Sequence, residues 1–343
     1  LSSTERTWFS NHCTSKEFGQ CAENLIDTPR IPYVDSARNV VDFLRGHNDA
    51  DVFSYGGLLF GYLDLFRDIR VNRLGDTVNA VPLFISKPQY TFDFALPAGH
   101  EKYKEFISRV YPTCDLGDTT CNANPPAKRP GVLYMASNDG MLHGFHGDNG
   151  TELFGYIPRT TMPEMWRLAD KNYATHHRYF VDGSPVSMDI TSSDGKWKTI
   201  LVGGYRSGGS GYYALDVTLD PNDATHSTKP RVLWEVCNDS ALCTNAIPNL
   251  GLSFGNPVIT RMPEGSSLAG RWVVLISSGY NNVPSRNTQP TAMSTRGGDG
   301  KGYLYVLDAT TGAVLKTYAT GEGTVADPLN MGKVSALAMN FYY

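Results

Sequence analysis

The chain contains no run of eighteen apolar residues, so no segment of it reads as a membrane-spanning helix. Nucleophile-elbow spacing, G-x-S-x-G, is also missing. Its nearest approach, RSGGSG at Arg206 to Gly211, reads as a turn ahead of the strand pattern YYALD. Phosphate-loop spacing is absent as well, since GGDGKG at Gly297 to Gly302 precedes a strand pattern and not a helix. No large excess of charge of either sign is present. A formal net charge of −4 over 343 residues gives no global pull toward nucleic acid, and Arg67, Arg70 and Arg73 read as a solvated face. The chain starts at Leu1 with no Met and no signal peptide, which reads as a processed or excised piece.

What the sequence does contain is repetition. Residues 142–156 read LHGFHGDNGTELFGY and residues 304–318 read LYVLDATTGAVLKTY; the two align without a gap. Each holds an apolar strand, a turn closing on Gly150 or Gly312, and a second apolar strand. A looser copy is YYALDVT from Tyr212, continued after an insertion by RVLWEV from Arg231. Ahead of each hairpin comes a continuous apolar strand: GVLYMAS from Gly131, TILVGGY from Thr199, WVVLISSGY from Trp272. Ahead of that lies a small-residue-led strand: VPLFIS from Val81, SPVSMDI from Ser184, NPVITRM from Asn256, and a fourth opening, KVSALAM, from Lys333.

Four strands per unit, repeated, predict a mainly β, quinoprotein-like β-propeller: three blades and the start of a fourth. Unit starts at Pro82, Pro185, Pro257 and Ser335 lie 103, 72 and 78 residues apart. Common blades span about 40–50 residues, so insertions are expected at 87–130, 163–180, 219–230 and 283–299. The blades then occupy 73–343, behind a lead-in segment over 1–72 with one amphipathic helix. In that helix Ala37, Val40, Val41 and Leu44 share a face, Asp35 or Ser36 caps the start and Gly46 ends it. Two further helical patterns fall in the insertions, HEKYKEFISRVY and residues 163–180.

The cysteines form three local couples, Cys13/Cys21, Cys114/Cys121 and Cys237/Cys243, each bracketing a polar stretch. Closely spaced couples in loops point to disulfides and an oxidising compartment. The C-x2–4-C spacing that zinc would use is missing.

Chemistry-bearing residues are sparse. His143 and His146, three apart on one strand, point to opposite faces and do not chelate together. They, His176, His177 and His226 read as packed or surface histidines. Asp49 and Asp51 are half of a calcium loop at best, and the weak metal candidates of the chain. Asp216 and Asp308, at strand ends, are expected to accept bonds from turn amides, as are Asn149 and Thr311. Trp234 and Trp272 sit in core strands and read as packing. Trp166, on the 163–180 insertion, is the weak candidate for an exposed binding contact. No residue stands out as catalytic, and no cofactor loop is present.

Several stretches in order resemble the PilC/PilY family of type IV pilus tip adhesins and assembly factors. They include VVDFLRG (40–46), RLGDTVNAVPLFISKP (73–88), VLYMASNDGMLHGFHGDNGTELFGYIPR (132–159) and FVDGSPVSMDI (180–190). LVGGYRSGGSGYYALDVT (201–218), LGLSFGNPVITRM (250–262), SSGYNN (277–282) and GKGYLYVLDATTG (300–312) continue the series. The resemblance implies the C-terminal propeller of a larger secreted, non-enzymatic protein. Its place would be the pilus tip or cell surface, associated with the outer membrane or secreted after transit through the periplasm. It would serve pilus assembly, the balance against retraction, twitching motility and adhesion. Implied partners are minor pilins or tip subunits and a host or abiotic surface, with no nucleic acid. Calcium is implied for intact members, but no acidic D-x-D-x-D loop follows KVSALAMN here, and Arg296-Gly297-Gly298-Asp299 is not an Arg-Gly-Asp tripeptide.

Two other expectations share the fold. A quinoprotein-type dehydrogenase would stack a quinone near the axis with calcium beside it, and a periplasmic propeller scaffold would serve outer-membrane assembly. Three blades and one strand would leave two open apolar faces, so the chain is expected to be part of a longer propeller or covered by a partner.

Overall fold

The computed structural model describes residues 1–24, 26, 28–46, 53–55, 58–60, 65–67, 74–92, 94–284 and 297–336. Fifteen strands are described among them. β1 (Phe53–Tyr55) and β2 (Leu58–Phe60) form a two-stranded ladder in the lead-in. β3 (Leu83–Ile85), β4 (Val132–Ala136), β5 (Leu142–His146) and β6 (Glu152–Tyr156) make the first antiparallel meander. β7 (Val186–Thr191), β8 (Trp197–Gly204), β9 (Gly211–Asp216) and β10 (Arg231–Cys237) make the second, extended at its edge by the short parallel β11 (Asn245–Ala246). β12 (Val258–Arg261), β13 (Trp272–Ser277), β14 (Tyr303–Asp308) and β15 (Val314–Ala319) make the third. The fourth opening, KVSALAM, carries no strand over its described residues 333–336, and 337–339 lie outside the described set.

The aligned repeat is a structural one. Gly150 and Gly312 both take a left-handed conformation, with φ 71° and 69°. Each donates its amide four residues back, to the carbonyls of His146 and Asp308. In every meander the outer hairpin slips by one residue at the same place, leaving Leu153, Leu233 or Leu315 as the extra residue of a bulge. A bulge adds local twist to the strand that carries it, so the outer strand coils in the same sense each time.

Packing between the sheets follows from strand alternation. On β8 and β9, Ile200, Val202, Tyr212 and Ala214 join one buried cluster with Trp234, Ile259, Trp272, Val274 and Leu307 of the second and third sheets. Their neighbours Leu201, Tyr213 and Leu215 join another with Val132, Tyr134, Ala136 and Leu142 of the first. The middle sheet is therefore apolar on both faces, which explains the unbroken run TILVGGY. Trp234 and Trp272 are packed, as their strand positions imply. The Trp234 indole donates to the Ala309 carbonyl at 3.0 Å, and a Cβ on Gly312 would lie 2.7 Å from its ring.

The lead-in forms the third cluster. Helix Ala37–Leu44 starts where Ser36 Oγ accepts from the Asn39 amide, and short helices also form at Ser3–Thr7, Gly19–Ala22 and Ile31–Val34, beyond the single helix expected. Phe9, Phe18, Val34, Val40 and Phe43 pack against Met165, Trp166 and Leu168 of the 163–180 insertion. That insertion winds as a 3₁₀-helix over Met162–Ala169 with Pro163 in its first turn. The 87–130 insertion sends helix Tyr103–Val110 and Phe92 onto Trp197 and Trp272.

Candidate functional site

In an antiparallel meander, the turn between second and third strands and the link to the next sheet fall at one end. The other two turns fall at the opposite end. This order places Ser137–Gly140, Arg206–Ser210 and Gly279–Asn282 at one end, with Gly75–Val81, Asp182–Ser184 and Gly251–Asn256. Those segments include most of the resemblance-bearing motifs outside the strands and form the candidate site.

They are stitched laterally by side chains onto backbone. Asn138 Nδ2 donates to Asp76 at 2.7 Å while its Oδ1 accepts from the Phe180 amide at 3.0 Å. The fully buried Asp182 accepts from the Asn79 amide and side chain at 3.1 and 2.7 Å. Ser253 Oγ accepts from the Tyr205 and Arg206 amides at 2.8 and 3.2 Å, and the Tyr212 hydroxyl donates to the Gly255 carbonyl at 3.0 Å. Leu252 and Tyr280 exchange backbone hydrogen bonds in an isolated bridge. Asn282, fully buried, donates to the carbonyls of Asn249 and Lys301. Most of these bonds tie a turn or lead-in loop of one sheet to a lead-in loop of the same or the next sheet. The backbone of this end is thereby fixed.

Two titratable groups are built into it. His143 Nδ1 lies 2.6 Å from Glu152 Oε1 and Nε2 lies 3.0 Å from Asp139 Oδ2, while Asp139 also accepts from the Gly75 amide at 2.8 Å. A neutral imidazole carries one N–H, so a ring facing carboxylates with both nitrogens donates to both only when protonated. Burial opposes that charge, but the bonds to Asp139 and Glu152 outweigh it and raise the pKa. His143 lines a cleft of about 680 Å³ between Phe43 and Leu44 of the lead-in helix and Met141, Phe145 and Phe154 of the first sheet. Glu235 is buried on β10; burial raises its pKa against the Arg159 amide, the Tyr156 hydroxyl and the Thr160 amide that bond it. It joins the exit of the first meander to the second.

Trp166 does not serve as an exposed contact: it is 2% exposed. His12 stacks on it at 4.1 Å and Phe18 meets it edge-on at 5.1 Å, because the lead-in folds back over the insertion. Asp49 and Asp51 lie outside the described residues. Among the described residues, no group of three or more His, Cys, Asp or Glu is arranged to hold a metal. The six cysteines pair as Cys13–Cys21, Cys114–Cys121 and Cys237–Cys243, with S–S distances of 2.00, 2.02 and 2.13 Å. Asp216, Asp308, Asn149 and Thr311 each accept from a turn amide two residues on. RSGGSG is a turn, with Arg206–Gly208 in a 3₁₀ conformation ahead of β9. The lateral partners Asn79, Asp182, Ser253 and Asn282 escaped sequence reasoning. Their recurrence just before each first strand, or within each second turn, was the available signal.

The PilY1 beta-propeller domain family matches residues 74–334. The type IV pilus biogenesis factor PilY1 of Pseudomonas aeruginosa is 31% identical over 303 residues, 88% of this chain and 22% of that protein. A PilY1 homolog of Xylella fastidiosa is 31% identical over 278 residues, 80% of this chain and 18% of its own length. The chain thus spans about a fifth of the curated relatives it matches. The crystal structure of the Pseudomonas aeruginosa PilY1 C-terminal domain is 29% identical, with a TM-score of 0.41 over 70% of this chain and 38% of that one.

Proposed function

Given that the chain belongs to the PilY1 β-propeller family, we propose that it acts in type IV pilus biogenesis as a non-enzymatic docking platform. The pilus tip or outer cell surface is where it would work. Minor pilins or tip subunits would bind the stitched loop end, and adhesion to a host or abiotic surface would follow from that position. The single observation that supports this most is the placement of the shared motifs. They converge on one end, where side chains such as Asn138, Asp182 and Ser253 fix backbone instead of surrounding a reaction centre. A pre-fixed surface binds with less ordering cost than a mobile one. Among the described residues no helix is long and apolar enough to cross a membrane.

The test is made in a piliated host lacking its own copy of the gene. The full-length protein would carry Asn138→Ala with Ser253→Ala, and surface pili and twitching zones would be measured. Both should fall by several-fold while the protein is still secreted at normal level. Normal piliation with the double variant would overturn the proposal. Pili that persist beside a general outer-membrane assembly defect would favour the periplasmic scaffold instead.

A further inference from the structure

The seam between the first and second sheets holds a buried polar island. Glu235 on β10 pairs with Tyr213 on β9, and Tyr213 pairs with Gly203 on β8, so the three share the face turned toward the first sheet. Gly203 makes room for the phenol, because a Cβ there would collide with the Tyr213 hydroxyl. From the exit of the first sheet come Tyr156, whose hydroxyl donates to Glu235 Oε1 at 2.8 Å, and the Arg159 amide, which donates to the same oxygen at 2.9 Å. Glu235 Oε2 accepts the Thr160 amide at a long 3.4 Å.

Three hydroxyls beside this carboxylate, Thr160 Oγ1, Tyr205 Oη and Tyr213 Oη, are buried without a hydrogen-bond partner. Burial and the Glu235 charge raise the pKa of both phenols, and the Thr160 hydroxyl acts on Tyr205 in the opposite sense, so all of them lie within electrostatic reach of one point. Leaving a buried hydroxyl unbonded is costly, and three beside one carboxylate call for a common ligand. Counter-charge is missing too. Asp139, Glu164 and Asp182, buried like Glu235, lie 2.5–3.9 Å from a histidine or arginine nitrogen. Among the described residues no basic side chain pairs with Glu235. Arg159 carries its guanidinium to Glu5 at 3.3 Å and over Trp8 at 5.5 Å.

We propose that Glu235, Thr160, Tyr205 and Tyr213 form a binding site for one alkali-metal cation, sodium or potassium, between the first and second sheets. Four oxygens make a hard donor set, and one carboxylate balances one positive charge, whereas divalent ions draw on several carboxylates. A water molecule would bond the hydroxyls and leave the buried charge uncompensated. A proton on Glu235 would cancel the charge and reach one hydroxyl of the three. A cation meets both needs, and in doing so it ties the exit of the first sheet to the outer strands of the second.

The experiment is thermal unfolding of the purified protein in sodium, potassium and choline chloride at equal ionic strength, at mildly alkaline pH where the carboxylate is free to bind a metal ion. A ligand held only by the folded state raises the midpoint in a saturable way. The midpoint should therefore stand several degrees higher in sodium or potassium than in choline, and the better ion of the two identifies the occupant. Glu235→Gln should abolish the difference between salts. Tyr205→Phe with Tyr213→Phe, which keeps both rings, should abolish it as well and covers the case in which Glu235→Gln does not fold. Tyr212→Phe removes a buried hydroxyl from the opposite face of β9, bonded to the Gly255 carbonyl, and should leave the difference intact. Crystals soaked in thallium(I), a potassium substitute, should show an anomalous peak among the four side chains. Equal midpoints in the three salts would mean water alone at the seam and would overturn the site. So would a midpoint that follows pH and ignores the ion, an ion effect that survives the double phenylalanine variant, or thallium found only elsewhere.

Discussion

At the residue scale, His143 shows how a side chain read as packed can still titrate. Its folded pKa is raised above the ordinary value of about 6.5. The stability it contributes is therefore complete below about pH 6.5 and is lost as pH rises through the raised folded value. Denaturant unfolding of the native protein and His143→Gln from about pH 6 to about pH 9 should show the native protein's advantage shrinking with rising pH; parallel curves would contradict the imidazolium. Sequence showed only that His143 and His146 point to opposite faces. The carboxylates facing His143 come from a turn, Asp139, and from across the hairpin, Glu152, so only the register brings them together. Trp166 was illegible for a similar reason. An insertion looks exposed until the segment that covers it, here His12 and Phe18, is placed.

At the element scale the hairpins were legible because their turn demands a left-handed residue at one position, met by Gly150 and Gly312. The third copy was harder to see, since its turn is replaced by residues 217–230, yet it keeps the bulged leucine, Leu233. The parallel strand β11 was not legible. It has two residues, and it is set by the Cys237–Cys243 bridge and by the Ile247 amide donating to the Cys237 carbonyl at 2.7 Å. Replacing both cysteines by serine should destabilise the fold by about 2 kcal/mol by the chain-entropy estimate for so short a loop. Thermal unfolding under non-reducing conditions measures it, and an unchanged midpoint would show that the bridge leaves the unfolded chain as free as before. Mass spectrometry of the unreduced digest checks the three pairings together.

At the scale of the whole molecule, the middle sheet is covered on both faces, whereas the outer strands β6 and β15 of its neighbours are largely exposed or half-buried. Amide hydrogen exchange should accordingly be slowest in β8 and β9 and faster in β6 and β15. Uniform protection across the three sheets would contradict that gradient. The lead-in's dependence on the 163–180 insertion could not be anticipated, because periodicity says which face is apolar and not what it meets. Each bridge joins cysteines only 8, 7 or 6 positions apart, whereas any wrong pairing would have to close a loop of about a hundred residues or more at greater entropic cost. A polypeptide emerging end-first into an oxidising space can therefore oxidise each couple as it appears, and complete each meander before the next arrives. Biogenesis of this segment then requires little proofreading of its covalent cross-links, even though six thiols in principle allow fifteen full pairings.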